Sequence, residues 1–469
     1  MLIRKPAGAG QFYEADAGKL RKEVDSYLKA VRPLKERVLG VLAPHAGYAY
    51  SGATAGAAFA FLKEIDYDSV VMIGTGHTQA VEGAAIMSEG FFETPLGRVE
   101  IDSDLARVLL ASSKLFEDRP SAHAREHSVE VELPFLQALG KDFKLMPVVA
   151  NTVDIKTLEE IGRRIGNAVM GRKTVICVSS DLSHYPPGDI AERSDLALIE
   201  AFRTSVRNGD MAYFGLANDL LLEKSKYYMD TAACGYAAMV IGAAACLELG
   251  AADFELIKYT HSGRISGDEA RVVGYGAGLF TQGGSPAPRV LGRELQKELL
   301  ALARKSIEGR LRKKSFELPL SSHPELNQPA AVFVTLNKDG ALRGCIGTMT
   351  PRQLLSDAVA AFAAASAFED PRFGPLSSDE LASVKIEISV LSPLRRVGSW
   401  EEVVEGQHGV YVRKGRSGGT YLPQVWEHFK SREEFLTSLC LEKAGINAGA
   451  WKEKSTALYV YTVDSFEEK

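Results

Sequence analysis

Residues 38–52 read VLGVLAPHAGYAYSG, and this stretch decides the architecture of the first half of the chain. Residues 38–42 are apolar without polar alternation, the mark of a strand buried on both faces. A turn containing Pro44, His45 and Gly47 follows, and the Ala-rich segment 53–62 reads as helix. Strand, turn and helix in that order build an α/β sheet, and such sheets carry their chemistry at the strand ends. The pattern recurs in VVMIGTGHT, residues 70–78, where a strand over 70–73 ends just before His77. Segments 145–149 and 175–178 are two further apolar strands, the second running into SSDLSHYPPG. Segments 254–259 and 272–280 close a mixed or largely parallel sheet covered on both faces.

Around these strands, Leu20, Val24, Tyr27, Leu28 and Val31 fall on one helical face, with Asp16 as its N-cap. The longest apolar stretch, 232–249, is rich in Ala and Gly and reads as a buried helix, not a membrane span. It opens with MDTAACGYAA, which carries Cys234.

A chain of 469 residues exceeds one ordinary core, so two or three domains are expected. The hydrophobic share of 46% and charged share of 25% are those of a globular protein. A net charge of −5 gives no reason to expect nucleic acid or membrane as a partner. The basic run Arg310, Arg312, Lys313 and Lys314 reads as a solvated helix end. Five cysteines without a CxxC pair imply a reducing compartment, and no apolar leader is visible, so a cytoplasmic protein is expected.

GGSPAP, residues 283–288, reads as a linker, dividing the chain into domains at 1–282 and 289–469. Beyond it the pattern becomes α+β. A helix over 290–311 precedes a hairpin of 331–336 and 341–346, then a helix from Pro351 and a strand over 384–391. A helix over 433–444 and a last strand over 457–463 complete it.

His45, His77 and Cys234 each sit where a buried element meets a turn. Two imidazoles and a thiolate can hold a first-row metal while leaving positions open for substrate. Fe(II) suits such a set if O₂ is to bind, with the thiolate keeping the single negative charge of the more familiar carboxylate. Zinc and copper suit it as well. The bland reading of a buried cysteine is inert packing, and it fits Cys177 and Cys246. His123 and His261 read as surface or strand-end residues.

The segments GAGQFYEAD, APHAGYAYSG, GTGHT, REHSVEVELPFLQ, SSDLSHY and ACG together resemble the Memo family, in the family's order, over roughly residues 3–281. The resemblance implies a fold like that of class III extradiol dioxygenases, with a mixed central sheet. It makes His45, His77 and Cys234 the metal ligands, and places Glu126, His127, Asp181 and His184 in the same pocket as catalytic candidates. His184 would act as general acid or base, and Asp181 would orient a ring N–H or a bound water.

Residues 289–466 resemble the AMMECR family through LRGCIGT, EDPRFGPLSSDEL, IEISVLSP and HGVYVRKG, which implies a smaller α+β domain. Arg343, Cys345 and Arg372 could share a cleft there, or form a hairpin strand with paired arginines. Trp426 and Phe429 are core or cleft-lining residues. Memo-like and AMMECR-like proteins are named as parts of one system with a radical-SAM protein, the AmmeMemoRadiSam system. The resemblance thus implies a metal-dependent, dioxygenase-like oxidoreductase acting on a small molecule or peptide, with a radical-SAM protein as partner. The alternatives are a non-enzymatic metal- or peptide-binding scaffold and a metallohydrolase.

Overall fold

A computed structural model describes residues 2–469 apart from 30, 31, 33, 284–289, 315, 316 and 454. Most of the expected linker, and Val31 of the first helical stripe, therefore lie outside the described residues. The chain forms two compact units, residues 1–207 with 211–285, and residues 286–469 with 208–210.

The first unit is built on an eight-stranded sheet. Its strands run, edge to edge, Asp253–His261, Gly274–Gln282, Arg37–Ala43, Thr174–Ser179, Ser69–Thr75, Lys144–Ala150, Ala84–Ile86 and Phe116–Asp118. The four central strands are mutually parallel, and antiparallel strands flank them. Val70 to Ile73 and Leu145 to Met146 are fully buried, as continuous apolar strands in a covered sheet should be. Register aligns Ala43 with Ser179 and Thr75 with Ala150, so the carboxyl ends of these strands open at one edge of the sheet. The helix Tyr236–Glu248 is buried continuously from Ala237 to Cys246, which explains its lack of a polar face. It packs on Ile155–Val169, where a Cβ at Gly166 would stand 2.7 Å from the carbonyl oxygen of Ala245. Asp16 caps its helix as expected, accepting from the Lys19 N–H. Among the described residues no helix is long and apolar enough to cross a membrane.

His123 departs from expectation. It is 1% exposed, at the end of the short helix Pro120–His123, with Nε2 3.2 Å from the Ala85 carbonyl oxygen. His261 ends its strand as expected but is also buried.

The second unit has two four-stranded antiparallel sheets. The first runs Ala341–Gly347, Ala331–Lys338, Val384–Leu391 and Val463–Glu467. The helices Arg293–Leu311 and Leu355–Phe368 bury one of its faces. The second sheet runs Arg395–Val397, Ala457–Tyr461, Gly409–Lys414 and Ser417–Tyr421. The expected last strand over 457–463 is thus two strands in different sheets, hinged at Thr462, which exchanges hydrogen bonds with Ser392. The helix expected from Pro351 begins only at Leu355. The preceding residues pair with 328–330 instead, through Ala330 N–H to Gln353 O and Leu355 N–H to Gln328 O.

Candidate metal centre

His45 lies two residues beyond its strand and is 2% exposed. Its backbone N–H and that of Ala46 both donate to Oδ1 of Asp181, at 2.9 and 3.2 Å. Its Nδ1 lies 2.8 Å from Oγ of Ser179. That hydroxyl donates to the Ser128 carbonyl at 2.6 Å and is 3.1 Å from Oε1 of buried Glu132. Burial pushes the Glu132 carboxyl well above its ordinary value. One hydroxyl proton serves one acceptor, and when the Ser128 carbonyl takes it, His45 donates from Nδ1 to Oγ. Nε2 is left as a lone pair, 3.1 Å from Sγ of Cys234.

Cys234 precedes the Tyr236–Glu248 helix, and its N–H donates to the Asp181 carbonyl at 3.3 Å. The next residue must be small: Gly235 donates to Oγ of Ser180 at 2.9 Å, and a Cβ there would stand 2.5 Å from the Ser180 side chain. Burial, then the charge of Asp181, pushes the thiol well above its ordinary value, so without a cation it stays protonated. Burial also raises Asp181, to about 7, against the two N–H groups that favour its charge.

His77 is held differently. Its N–H donates to Oε2 of Glu126 at 2.6 Å, and its Nδ1 is 2.9 Å from Oε1. The same Oε1 is 3.5 Å from Nδ1 of His127. Burial raises Glu126, but bonds to His77 and the Ser128 N–H outweigh it and bring the carboxyl down to about 2. One carboxylate oxygen thus holds His77 by a hydrogen bond and lies beside His127. His127 stacks between Phe12 at 4.2 Å and His77 at 4.8 Å, ring centre to ring centre.

Ligand atoms of His45, His77 and His127 lie within 4.8 Å of one another, and so do those of His45, Asp181 and Cys234. The two sets meet at His45, with His77 and Cys234 in different sets. His184 stands beside them. Its Nε2 is 4.0 Å from Oδ2 of Asp181, buried and, among the described residues, without a hydrogen-bond partner. Desolvation lowers the pKa of His45, His127 and His184, the second to about 4, so these imidazoles are neutral at pH 7. Neutral imidazoles, an orphaned ring nitrogen and a thiol at 3.1 Å are the donors a soft or borderline cation takes, so the residues fit a metal.

Several supports of this centre carry no obvious signal in the sequence. Glu130, fully buried, pairs with Arg4 and accepts from the Tyr13 hydroxyl and from the N–H groups of Ala7 and Gly8. It folds residues 4–13 over the site and brings Phe12 onto His127. Asp195, also buried, accepts from the Ser183 N–H at 3.0 Å and the Tyr259 hydroxyl at 2.9 Å, fixing the loop that carries His184. Ser179 and Glu132 lie inside quoted motifs, but a serine at a strand end and one glutamate among several do not stand out.

In the second unit Cys345, Arg343 and Arg372 do come together. Asp370 takes the Cys345 N–H at 2.8 Å, while Arg372 reaches the Cys345 carbonyl at 3.2 Å and pairs with Asp370. Arg343 pairs with Glu380, as the structural reading expected, and both arginines lie over the Phe373 ring. Asp370 and Arg372 thereby satisfy the N–H and carbonyl of Cys345 on the edge strand Ala341–Gly347. Trp426 is elsewhere, stacked on Phe435 at 3.7 Å in the core beneath the second sheet, and Phe429 packs against that core.

The profile of Memo-like proteins matches residues 4–279, and that of AMMECR1 matches residues 300–466. A MEMO1 family protein of Methanococcoides burtonii is 39% identical over 278 residues, covering 59% of this chain and 98% of the relative. One from Nitrosopumilus maritimus is 35% identical over 286 residues, covering 60% and 100%. Among solved structures, an uncharacterised Pyrococcus horikoshii protein is 38% identical, covering 38% of this chain and 94% of its own, with a TM-score of 0.33. An uncharacterised Escherichia coli protein is 12% identical, covering 51% and 99%, with a TM-score of 0.37. The chain belongs to the Memo-like protein family, and carries an AMMECR1 domain after its Memo domain.

Proposed function

We propose that the Memo domain is a metal-dependent oxidoreductase of the dioxygenase type, with His45, His77 and Cys234 holding Fe(II). The observation that carries this reading is the placing of His45, with Nδ1 2.8 Å from Oγ of Ser179 and Nε2 3.1 Å from Sγ of Cys234. Glu126 supports it by holding His77 at Nδ1. Copper or zinc would fit the same donors, and Asp181 and His127 stand close enough to complete the coordination. Bound Fe(II) would supply a redox centre with open positions for O₂ and an oxygen-bearing substrate.

The chain's own groups have separate tasks. His184, neutral and, among the described residues, unpartnered at Nε2, takes a proton from substrate and returns it to product. Asp181 fixes the His45 turn through its two N–H bonds and faces His184 across 4.0 Å. Phe12 covers His127 and keeps water from that side. The fusion to an AMMECR1 domain supports a shared substrate or complex, and a radical-SAM protein is the partner proposed for it.

The test is metal content with O₂ uptake on anaerobically purified protein, wild type against His45→Ala and Cys234→Ser. About one iron per chain, lost in both variants, with iron-dependent O₂ uptake on adding catechols, is expected. Bound metal without uptake would turn the reading toward a scaffold. Zinc would turn it toward hydrolysis. No stoichiometric metal would sink the ligand assignment.

A further inference from the structure

Glu126, Glu130 and Glu132 are all buried, and the first two have clear tasks: Glu126 holds His77, and Glu130 pairs with Arg4. Glu132, 1% exposed, has no comparable partner. Its Oε2 is buried and, among the described residues, makes no hydrogen bond, while its Oε1 lies 3.1 Å from Oγ of Ser179. The titratable groups that face it are Tyr48, Cys177 and Asp181, so no cation offsets a charge there. A carboxyl in such a place avoids the cost of burying a charge by keeping its proton.

The distances around Ser179 point the same way. A carboxylate takes a hydroxyl proton at about 2.5–2.7 Å, closer than a neutral acceptor does. Here the order is reversed: Oγ of Ser179 is 2.6 Å from the Ser128 carbonyl oxygen and 3.1 Å from Glu132. A carbonyl brings no proton to its contact, so the Ser179 proton lies on that side. Two lone pairs of Oγ remain. Oε1 of Glu132 faces one, and Nδ1 of His45, at 2.8 Å, faces the other. A hydroxyl that gives one proton and receives two uses its full capacity.

We infer that Glu132 is a positioning residue of the metal centre, a neutral carboxylic acid that donates to Ser179 and keeps Nδ1 of His45 a donor, so that Nε2 is the nitrogen offered to a cation. What Glu132 supplies is a proton in a fixed direction and no charge. An anionic relay would draw the Ser179 proton off the Ser128 carbonyl and make His45 more basic. The neutral acid leaves the negative charge to residues nearer the cation. The inference rests on the metal-centre reading for what His45 binds, but not for the protonation of Glu132.

Glu132→Gln carries the test, because an amide N–H donates as the acid does and bears no charge. On the full-length, metal-free chain at neutral pH, the infrared difference between wild type and this variant should show the carbonyl stretch of a protonated acid. Nitrogen chemical shifts of histidine-labelled chain, with the His45 signal assigned by its loss in His45→Ala, should place the ring proton on Nδ1 in both. Fe(II) affinity, measured under nitrogen by competition with a chromophoric chelator, should stay within about twofold in Glu132→Gln and fall about tenfold in Glu132→Leu. In Glu132→Leu the His45 signal should move toward a mixture of tautomers. Carboxylate bands in place of the acid band, a loss of tenfold or more in Glu132→Gln, or wild-type affinity in a folded Glu132→Leu overturns the inference. If circular dichroism shows that Glu132→Leu does not fold, the infrared band and Glu132→Gln decide. A wild type that keeps the acid band and the Nδ1 proton but takes up no metal defeats the metal centre alone. Stoichiometric metal without the acid band defeats the role of Glu132 alone.

Discussion

Nδ1 of His45 and Oγ of Ser179 lie 2.8 Å apart, on the ends of neighbouring parallel strands whose register pairs Ala43 with Ser179. The sheet itself therefore decides which imidazole nitrogen faces Cys234. Ser179→Ala removes that decision without touching a ligand. Metal affinity should fall by about 10–100-fold, the usual cost of losing a ligand's supporting hydrogen bond. Competition with a chromophoric chelator measures it, and an unchanged affinity would show that Ser179 orients nothing.

Acid should destabilise the metal-free chain through its histidines. His45, His127 and His184 are held neutral chiefly by desolvation, His127 down to about 4. The unfolded chain takes up these protons near pH 6.5 and the folded chain does not. The stability they confer is full above about pH 6.5 and drains as the pH falls toward 4. His127 accounts for up to ~3 kcal/mol of this, at 1.4 kcal/mol per pH unit. Thermal melts from pH 7.5 to 4.5 should slope less in His127→Gln than in wild type, and parallel curves would refute the assignment.

Gly235→Ala inserts a methyl where Ser180 already stands, 2.5 Å from its side chain. The chain must shift next to Cys234. Overpacking of this kind costs about 1–3 kcal/mol, and the displaced thiol should hold metal less well. Denaturant melts together with metal retention on a desalting column test both parts. Full retention would mean that the Cys234 turn is more pliable than its packing implies.

In the AMMECR1 domain, Asp370→Ala orphans the Cys345 N–H and leaves Arg372 without its ion pair. The domain should melt at lower temperature, and Cys345 should react faster with a thiol reagent than in wild type. Tryptic mapping of the labelled peptide identifies the site. Unchanged labelling would show that the edge strand is held by other contacts, such as Ser366 Oγ on the Ile346 N–H.

The central sheet was legible because its strands are buried on both faces, and nothing but continuous apolar runs can occupy such positions. His45, His77 and Cys234 stood out because reactive side chains at the ends of those runs have little structural reason to be there. The supports of the site were harder to see. Glu130 meets Arg4 across 126 positions and Ser179 meets Glu132 across 47, and no local pattern encodes such pairings. His123 misled because a histidine beside charged residues suggests surface, whereas its burial is compensated by a single carbonyl. The break at Thr462 was hidden because alternation continues through it: both sheets use the same period, so a change of sheet leaves no mark.

That break has a consequence for how the chain is made. Residues 457–461 are an inner strand of one sheet and 463–467 an edge of the other. Asp464 also accepts from the Leu291 N–H at 2.8 Å, and Glu468 pairs with Arg304, so the last segment ties back to the first. On the ribosome the Memo domain can close while synthesis continues, but neither sheet of the AMMECR1 domain can be completed until residues 457–467 have left the exit tunnel. Nascent chains stalled before that point should carry a finished first domain and a protease-sensitive second one.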